Sequence, residues 1–141
     1  MAIINGTYKL KTNEGLTDIL AAQGLGMVQR NLANGMNQTF KFEYDEAAKT
    51  IVQTTVAKNE NVNTLVIDGP AVEKEAAGGR GTLLDSVKLS DKGFIMTREE
   101  KTGAYKCENE YVFEEGKLTI LLKTTKKDGK VVTGKRFFVK E

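Results

Sequence analysis

Thr39-Phe40-Lys41-Phe42-Glu43-Tyr44-Asp45 puts an aromatic side chain at every second position, with charged or hydroxyl side chains between. Successive side chains of an extended chain point to opposite faces, so this stretch offers one face to a core and the other to water. Just upstream the period is different. Leu16, Ile19 and Leu20 fall at i, i+3 and i+4, the spacing of one helix face. Asn13 is placed to cap that helix and Gly24 to stop it. A second short amphipathic stretch follows, with Leu25, Val28, Leu32 and Met36 on one side and Gly35 near its end. Thr39 therefore marks the boundary between a two-helix segment and a region of strands.

Working outward, strand-like runs are expected at 50–57, 64–67, 82–89, 94–99, 105–113, 118–124 and 131–139. A strand at 7–11 and another around Val72 bring the count to about ten. The turn signals between them are short: Asp68-Gly69, Gly78-Gly79, Asp91-Lys92-Gly93, Thr102-Gly103, Glu115-Gly116 and Asp128-Gly129. Such connections predict an antiparallel meander, and closing it into a barrel would remove two exposed edges. The expected fold is all-β: an up-and-down barrel of calycin or lipocalin type, with a two-helix lid between its first two strands. An eight-stranded barrel is already about wide enough to hold a small ligand, so a wider one implies a cavity.

Composition narrows the function. With 141 residues, 40% of them hydrophobic and 28% charged, the chain is expected to be a single domain spanning residues 1–141. The 21 Lys and Arg nearly balance 19 Asp and Glu and are scattered, which argues against a nucleic-acid partner. No apolar run approaches the ~20 residues of a bilayer span, and no secretory signal pattern opens the chain. A single cysteine, Cys107, excludes an intrachain disulfide and suits a reducing, cytoplasmic compartment. The acceptor patterns at Asn5 and Asn37 matter only in a secreted chain. With no histidine, the chain has no imidazole base and no histidine metal site. Gly24-Leu25-Gly26 lacks the rest of a dinucleotide fingerprint. No enzyme activity, cofactor or metal is expected, and a closed barrel is expected to be a monomer.

One strand, two short helices and then a long run of antiparallel strands is an order of elements that resembles the intracellular lipid-binding proteins, the family of fatty-acid-binding and cellular retinoid-binding proteins. The resemblance covers essentially the whole chain. Gly6-Thr7-Tyr8-Lys9-Leu10 is similar to the family's opening Gly-x-Trp segment with Tyr for Trp, and Gln23-Gly24-Leu25-Gly26 to its inter-helix turn. Lys58-Asn59 resembles its Lys-Asn turn, and Glu115-Gly116-Lys117-Leu118 its Asp-Gly-Lys-Leu hairpin. The last strand, Thr133-Gly134-Lys135-Arg136-Phe137-Phe138-Val139-Lys140, is similar to the family's terminal Arg-x-Tyr, which holds a ligand carboxylate. Here the Arg is Arg136 and the Tyr position is Phe138. The family's other internal Arg corresponds to Tyr111.

Arg136 and Phe138 share a strand face. An inward guanidinium needs a partner, and its planar fork suits a ligand carboxylate. The alternatives are an outward Arg136, or a permanent pair with Glu99 or Glu110. Tyr111 offers a hydroxyl donor or is plain core. Arg80, in Gly78-Gly79-Arg80-Gly81, is an internal or portal cation or an exposed hairpin residue. The resemblance implies further lining positions at Gln53, Thr55, Ile120 and Leu122, and portal positions at Leu16, Ile19, Leu20, Leu25, Ala33 and Ala57. Ala57 stands where the family often has a bulky Phe, which implies a more open entrance. The expected function is non-catalytic binding and transport of a hydrophobic small molecule, foremost a long-chain fatty acid with its carboxylate near Arg136. The alternative is a barrel with a structural, protective or membrane-associated role, or one that holds a neutral lipid or retinoid. The helical segment bears Glu14, Asp18 and a single basic residue, Arg30, so release through solution is expected rather than stable membrane association.

Overall fold

The computed structural model describes residues 4–24, 37–57, 59–75 and 81–141. Their elements run β1 (Gly6–Glu14), α1 (Leu16–Ala22), β2 (Thr39–Asp45), β3 (Thr50–Val56), β4 (Glu60–Val66) and β5 (Val72–Glu75). They continue as β6 (Thr82–Ser90), β7 (Gly93–Glu100), β8 (Tyr105–Glu114), β9 (Lys117–Lys126) and β10 (Val131–Lys140). All ten strands lie in one antiparallel sheet in the order β4-β3-β2-β1-β10-β9-β8-β7-β6-β5. The ten-stranded, all-β reading of the sequence is borne out. The expected second helix, at 25–36, lies outside the described residues.

The sheet curls until its two ends meet, but closure is incomplete among the described residues. Ile67 makes an isolated bridge to Val87, the Asp68 N–H donates to the Val87 carbonyl at 2.8 Å, and Lys74 Nζ donates to Asn63 Oδ1 at 3.2 Å. No ladder joins β4 to β5, so the two edges expected to vanish persist and face each other. The cause is local. Asp68 takes a left-handed conformation (φ 58°) and Pro70, which has no N–H to give a ladder, follows two residues later. The chain therefore turns toward β6 instead of folding back on β4. Strand β4 also begins earlier than the expected 64–67, pairing Glu60 with Val56. Its polar residues Glu60, Asn61 and Asn63 hide it from a hydrophobic pattern but suit an edge strand.

Inward alternation builds the core at one end of the barrel. Phe42 is 1% exposed and meets Phe113 edge-on at 5.2 Å between ring centroids. Tyr8 lies against Phe113 at 5.5 Å, and Phe94 stacks on Tyr111 at 4.3 Å. Such pairs add to the burial of large apolar area. Helix α1 rests on β9 and β10 through buried Leu16 and Ile19. Its N-cap is Gly15 (φ 69°), not Asn13, which belongs to β1. A Cβ on Gly15 would lie 2.9 Å from the Thr133 carbonyl oxygen, so glycine is required both by the conformation and by the close approach to β10.

Gly93 is tighter still. Expected in a turn, it instead opens β7, where an added Cβ would lie 1.9 Å from the Tyr111 carbonyl oxygen. Gly93→Ala must push β7 away from β8 across the aromatic core, and a loss of about 3 kcal/mol or more is expected. Urea denaturation of the variant checks this, and a loss below about 1 kcal/mol contradicts it.

Candidate functional site

Beneath α1, beside the aromatic cluster with which it shares Tyr111, a cavity of about 260 Å³ opens. Leu16, Ile19 and Leu20 of α1 cover it. Gln53 and Thr55 of β3, Tyr111 of β8, Ile120 and Leu122 of β9, and Arg136 of β10 face it from the wall. Nine residues singled out in the sequence thus surround one space. Phe138 is buried next to it and stacks on Phe40 at 4.8 Å, outside the lining. Ala57 follows β3, its N–H donating to the Asn59 carbonyl at 3.1 Å, and also lies outside the lining. Leu25, Ala33 and Arg80 fall outside the described residues.

Arg136 points inward, and neither Glu99 nor Glu110 is its partner. Glu99 is exposed and pairs with Lys106 at 3.7 Å, while Glu110 lies on the alternate positions of β8 to inward Tyr111. The guanidinium is held by neutral groups instead. Nε donates to Asn13 Oδ1 at 2.9 Å and Nη2 donates to Gln38 Oε1. The rings of Phe138 and Phe40 lie 5.3 and 5.9 Å from the guanidinium carbon, within cation–π range. Among the described residues no carboxylate lies within ion-pair distance of it. Burial accordingly pushes the Arg136 pKa down, and Tyr111 opposes the shift.

Asn13 reaches Arg136 because of a β-bulge. Along β1 the register with β10 runs Leu10↔Phe138, then Thr12↔Phe137 and Asn13↔Arg136, leaving Lys11 as the extra residue. A bulge re-aims the side chains that follow it, and here it turns an asparagine inward that strict alternation from Tyr8 and Leu10 would have left outside. Gln38 is positioned by its own backbone, whose carbonyl accepts from the Leu10 N–H at 2.8 Å.

A second polar centre escaped the sequence reading. Arg98 of β7 lines the same cavity and stands directly across from Asp85 of β6. Asp85 Oδ2 lies 3.2 Å from Arg98 Nε, and Asp85 is 5% exposed. Asp85 sits mid-strand, inside β6. The signal was present: Asp85 falls in phase with Leu83 and Val87, and Arg98 with Phe94 and Met96. Tyr111 joins the two centres. Burial pushes its phenol pKa up, Arg98 and Arg136 pull it back, and Gln53 hydrogen-bonds its hydroxyl. The hydroxyl therefore stays protonated at neutral pH. Asn63 and Asn109 add further amides, so polar side chains outnumber apolar ones around the cavity. Gln23, at the end of α1, donates from Nε2 to Cys107 Sγ at 3.2 Å and to Thr124 Oγ1 at 3.3 Å, tying the helix to β8 and β9.

A curled antiparallel sheet with a helix across one end is an architecture that known proteins share. Lipid binding protein 8 of Caenorhabditis elegans is 21% identical, with the alignment covering 100% of this chain and 97% of that one at a TM-score of 0.84. The fatty acid binding protein of Schistosoma mansoni, in complex with arachidonic acid, is 14% identical over 100% and 98% of the two chains, at a TM-score of 0.82. By sequence, a fatty acid-binding protein of the mite Tyrophagus putrescentiae is 25% identical over 99 residues, 70% of this chain and 74% of its own length. No protein-family model matches the chain. In fold, and more distantly in sequence, the chain is thus similar to lipid-binding proteins, the likeness that the order of its elements implied.

The raised phenol of Tyr111 has a signed effect on stability. Below the ordinary tyrosine value of about 10 the phenol is neutral in both folded and unfolded chains. Above it the unfolded chain ionises first, so unfolding becomes easier as pH rises toward the higher folded value. The unfolding free energy should therefore fall as pH rises above about 10, and fall less steeply in Tyr111→Phe. Urea titrations across that range, compared between the two proteins, check it.

Proposed function

We propose that the cavity binds and carries a hydrophobic small molecule, foremost a long-chain fatty acid, without transforming it, and that Arg136 receives the carboxylate. The supporting observation is the state of Arg136: an inward cation held by two amides and two aromatic faces, with no carboxylate partner among the described residues. A guanidinium withdrawn from water is costly until an anion compensates it, and a carboxylate fits its planar fork. The hydroxyl of Tyr111, one inward position away across β9, supplies a neutral donor. It stands where the family resemblance has a second Arg. The apolar chain would lie against Ile120, Leu122 and Met96 beneath Leu16, Ile19 and Leu20. Entry passes α1, whose Gln23 amide contacts must give way for the helix to lift.

The carrier reading draws on the names of the relatives, which are binding proteins, and on the absence of histidine from the sequence. In this reading the protein works as a cytoplasmic monomer, consistent with a single, buried, unbridged Cys107.

Calorimetric titration of delipidated protein with oleate should give saturable binding of about one ligand per chain. Ligand binding should also raise the melting temperature by linkage. Arg136→Met keeps much of the side-chain volume and should weaken oleate about tenfold or more, while oleyl alcohol changes little. Equal losses for acid and alcohol remove Arg136 from the anchor role. No heat and no stabilisation with any lipid overturn the carrier reading.

A further inference from the structure

Resting on the carrier reading above, we infer that Gln38 is a second ligand-contacting residue of the same site. Its side-chain nitrogen donates to one carboxylate oxygen while Arg136 Nη1 holds the other, so the site selects a head that accepts at both of its oxygens. An arginine only donates, so an amide that meets it must turn its oxygen toward it and its nitrogen away. Asn13 Oδ1 accepts from Arg136 Nε at 2.9 Å, and Gln38 Oε1 accepts from Nη2. These contacts use the single N–H of Nε and one N–H of Nη2. Arg136 Nη1 and Gln38 Nε2 have no hydrogen-bond partner among the described residues, and neither is sealed from solvent. Both residues line the cavity, whereas Asn13 does not. The donors that remain unspent therefore belong to side chains that reach the ligand space.

Gln38 is fixed by more than Arg136. It directly precedes β2, and its backbone carbonyl accepts from the Leu10 N–H at 2.8 Å, on the last rung before the bulge that turns Asn13 inward. The two ends of a primary amide share one carbon, so an oxygen bound to Nη2 keeps the Gln38 nitrogen beside the guanidinium. One charged and one neutral donor thus stand side by side at the cavity. A carboxylate meets them with two acceptor oxygens and no proton to place. A primary amide of the same shape has one acceptor and an NH₂ group that faces a donor, and an alcohol has a single oxygen. Phe138, the next inward residue of β10, cannot take the part of Gln38, because its ring is stacked on Phe40 and carries no donor. Bracing the guanidinium employs only the oxygen of Gln38, a service that Asn13 gives from outside the lining. Being neutral, the Gln38 amide also leaves the charge of Arg136 available to the ligand, where a glutamate would cancel it.

The test measures oleate, oleamide and oleyl alcohol on the delipidated full chain, by calorimetry and by displacement of a fluorescent fatty acid. The wild type should bind oleate about tenfold or more tighter than oleamide. Gln38→Met should weaken oleate about tenfold while oleyl alcohol stays within about twofold, and Asn13→Leu should weaken oleate less. Added to Arg136→Met, Gln38→Met should weaken oleate by about a further threefold, because the amide meets the ligand and not only the arginine. Gln38→Glu keeps the shape and the oxygen toward Arg136 but exchanges the donor for a charge. It should lower oleate more than Gln38→Met does, with oleyl alcohol retained, and it serves if the methionine variant does not fold. No further loss in the double variant, or equal losses from Gln38→Met and Asn13→Leu, makes Gln38 a brace, overturning this inference and leaving the carrier reading standing. Equal losses of acid and alcohol in Gln38→Met, or oleate binding unchanged in Gln38→Glu, likewise overturn it. No binding of any of the three lipids to the wild type overturns both.

Discussion

The ladder between the first strand and the last is the constraint on which everything else depends. Tyr8 pairs with Lys140 and Asn13 with Arg136, residues more than a hundred positions apart in the chain. Without that ladder the sheet separates into β1–β4 on one side and β5–β10 on the other, and neither part encloses anything. Contacts of such sequence separation form only after a large loss of chain entropy. The seam is also where the chemistry sits. The bulge at Lys11, the asparagine it turns inward and the guanidinium it meets all belong to these two strands, so closing the barrel and orienting the cation are one event.

Once closed, the barrel divides its interior by side-chain type. At one end aromatic rings from β1, β2, β7 and β8 pack against one another. At the other, amides, a phenol and two guanidinium groups line a space under a single short helix. The two cations are in unlike states: one is neutralised by an acid on the neighbouring strand, the other is solvated by amides and rings. The cavity lining thus combines one cation paired with an acid and one held by neutral groups. The persistent gap between β4 and β5 means this shell holds its shape by lateral contacts there instead of by a complete ring of hydrogen bonds.

Much of this could be read from alternation alone. The aromatic triplet Phe40, Phe42 and Tyr44 announces a strand whatever its neighbours, because a period of two has a single meaning when one face is oily and the other charged. The strands after Thr82 follow the same rule. The misreadings have physical causes. Asn13 looks like a helix cap because asparagine is favoured there, and nothing in the sequence marks the bulge that shifts the phase of β1. β4 is polar at its start because it is an edge, and a hydrophobic pattern finds buried strands best. Asp85 and Arg98 each look like ordinary surface charges until they are counted in phase with their apolar neighbours. Their pairing depends on register between two strands, which no local signal specifies.

The same seam gives the molecule a mechanical character. The outer ends of β1 and β10 leave the ladder from one side, at Tyr8 and Lys140. Tension applied there peels the antiparallel pair one rung at a time, instead of loading all the rungs in parallel as a shearing geometry would. Peeling passes Leu10 and Phe138 before it reaches the bulge, and Asn13 and Arg136 part among the last. A barrel opened by force at this seam therefore keeps its cation clasped until the ladder is nearly gone, so Arg136 lies at the protected end of the tear.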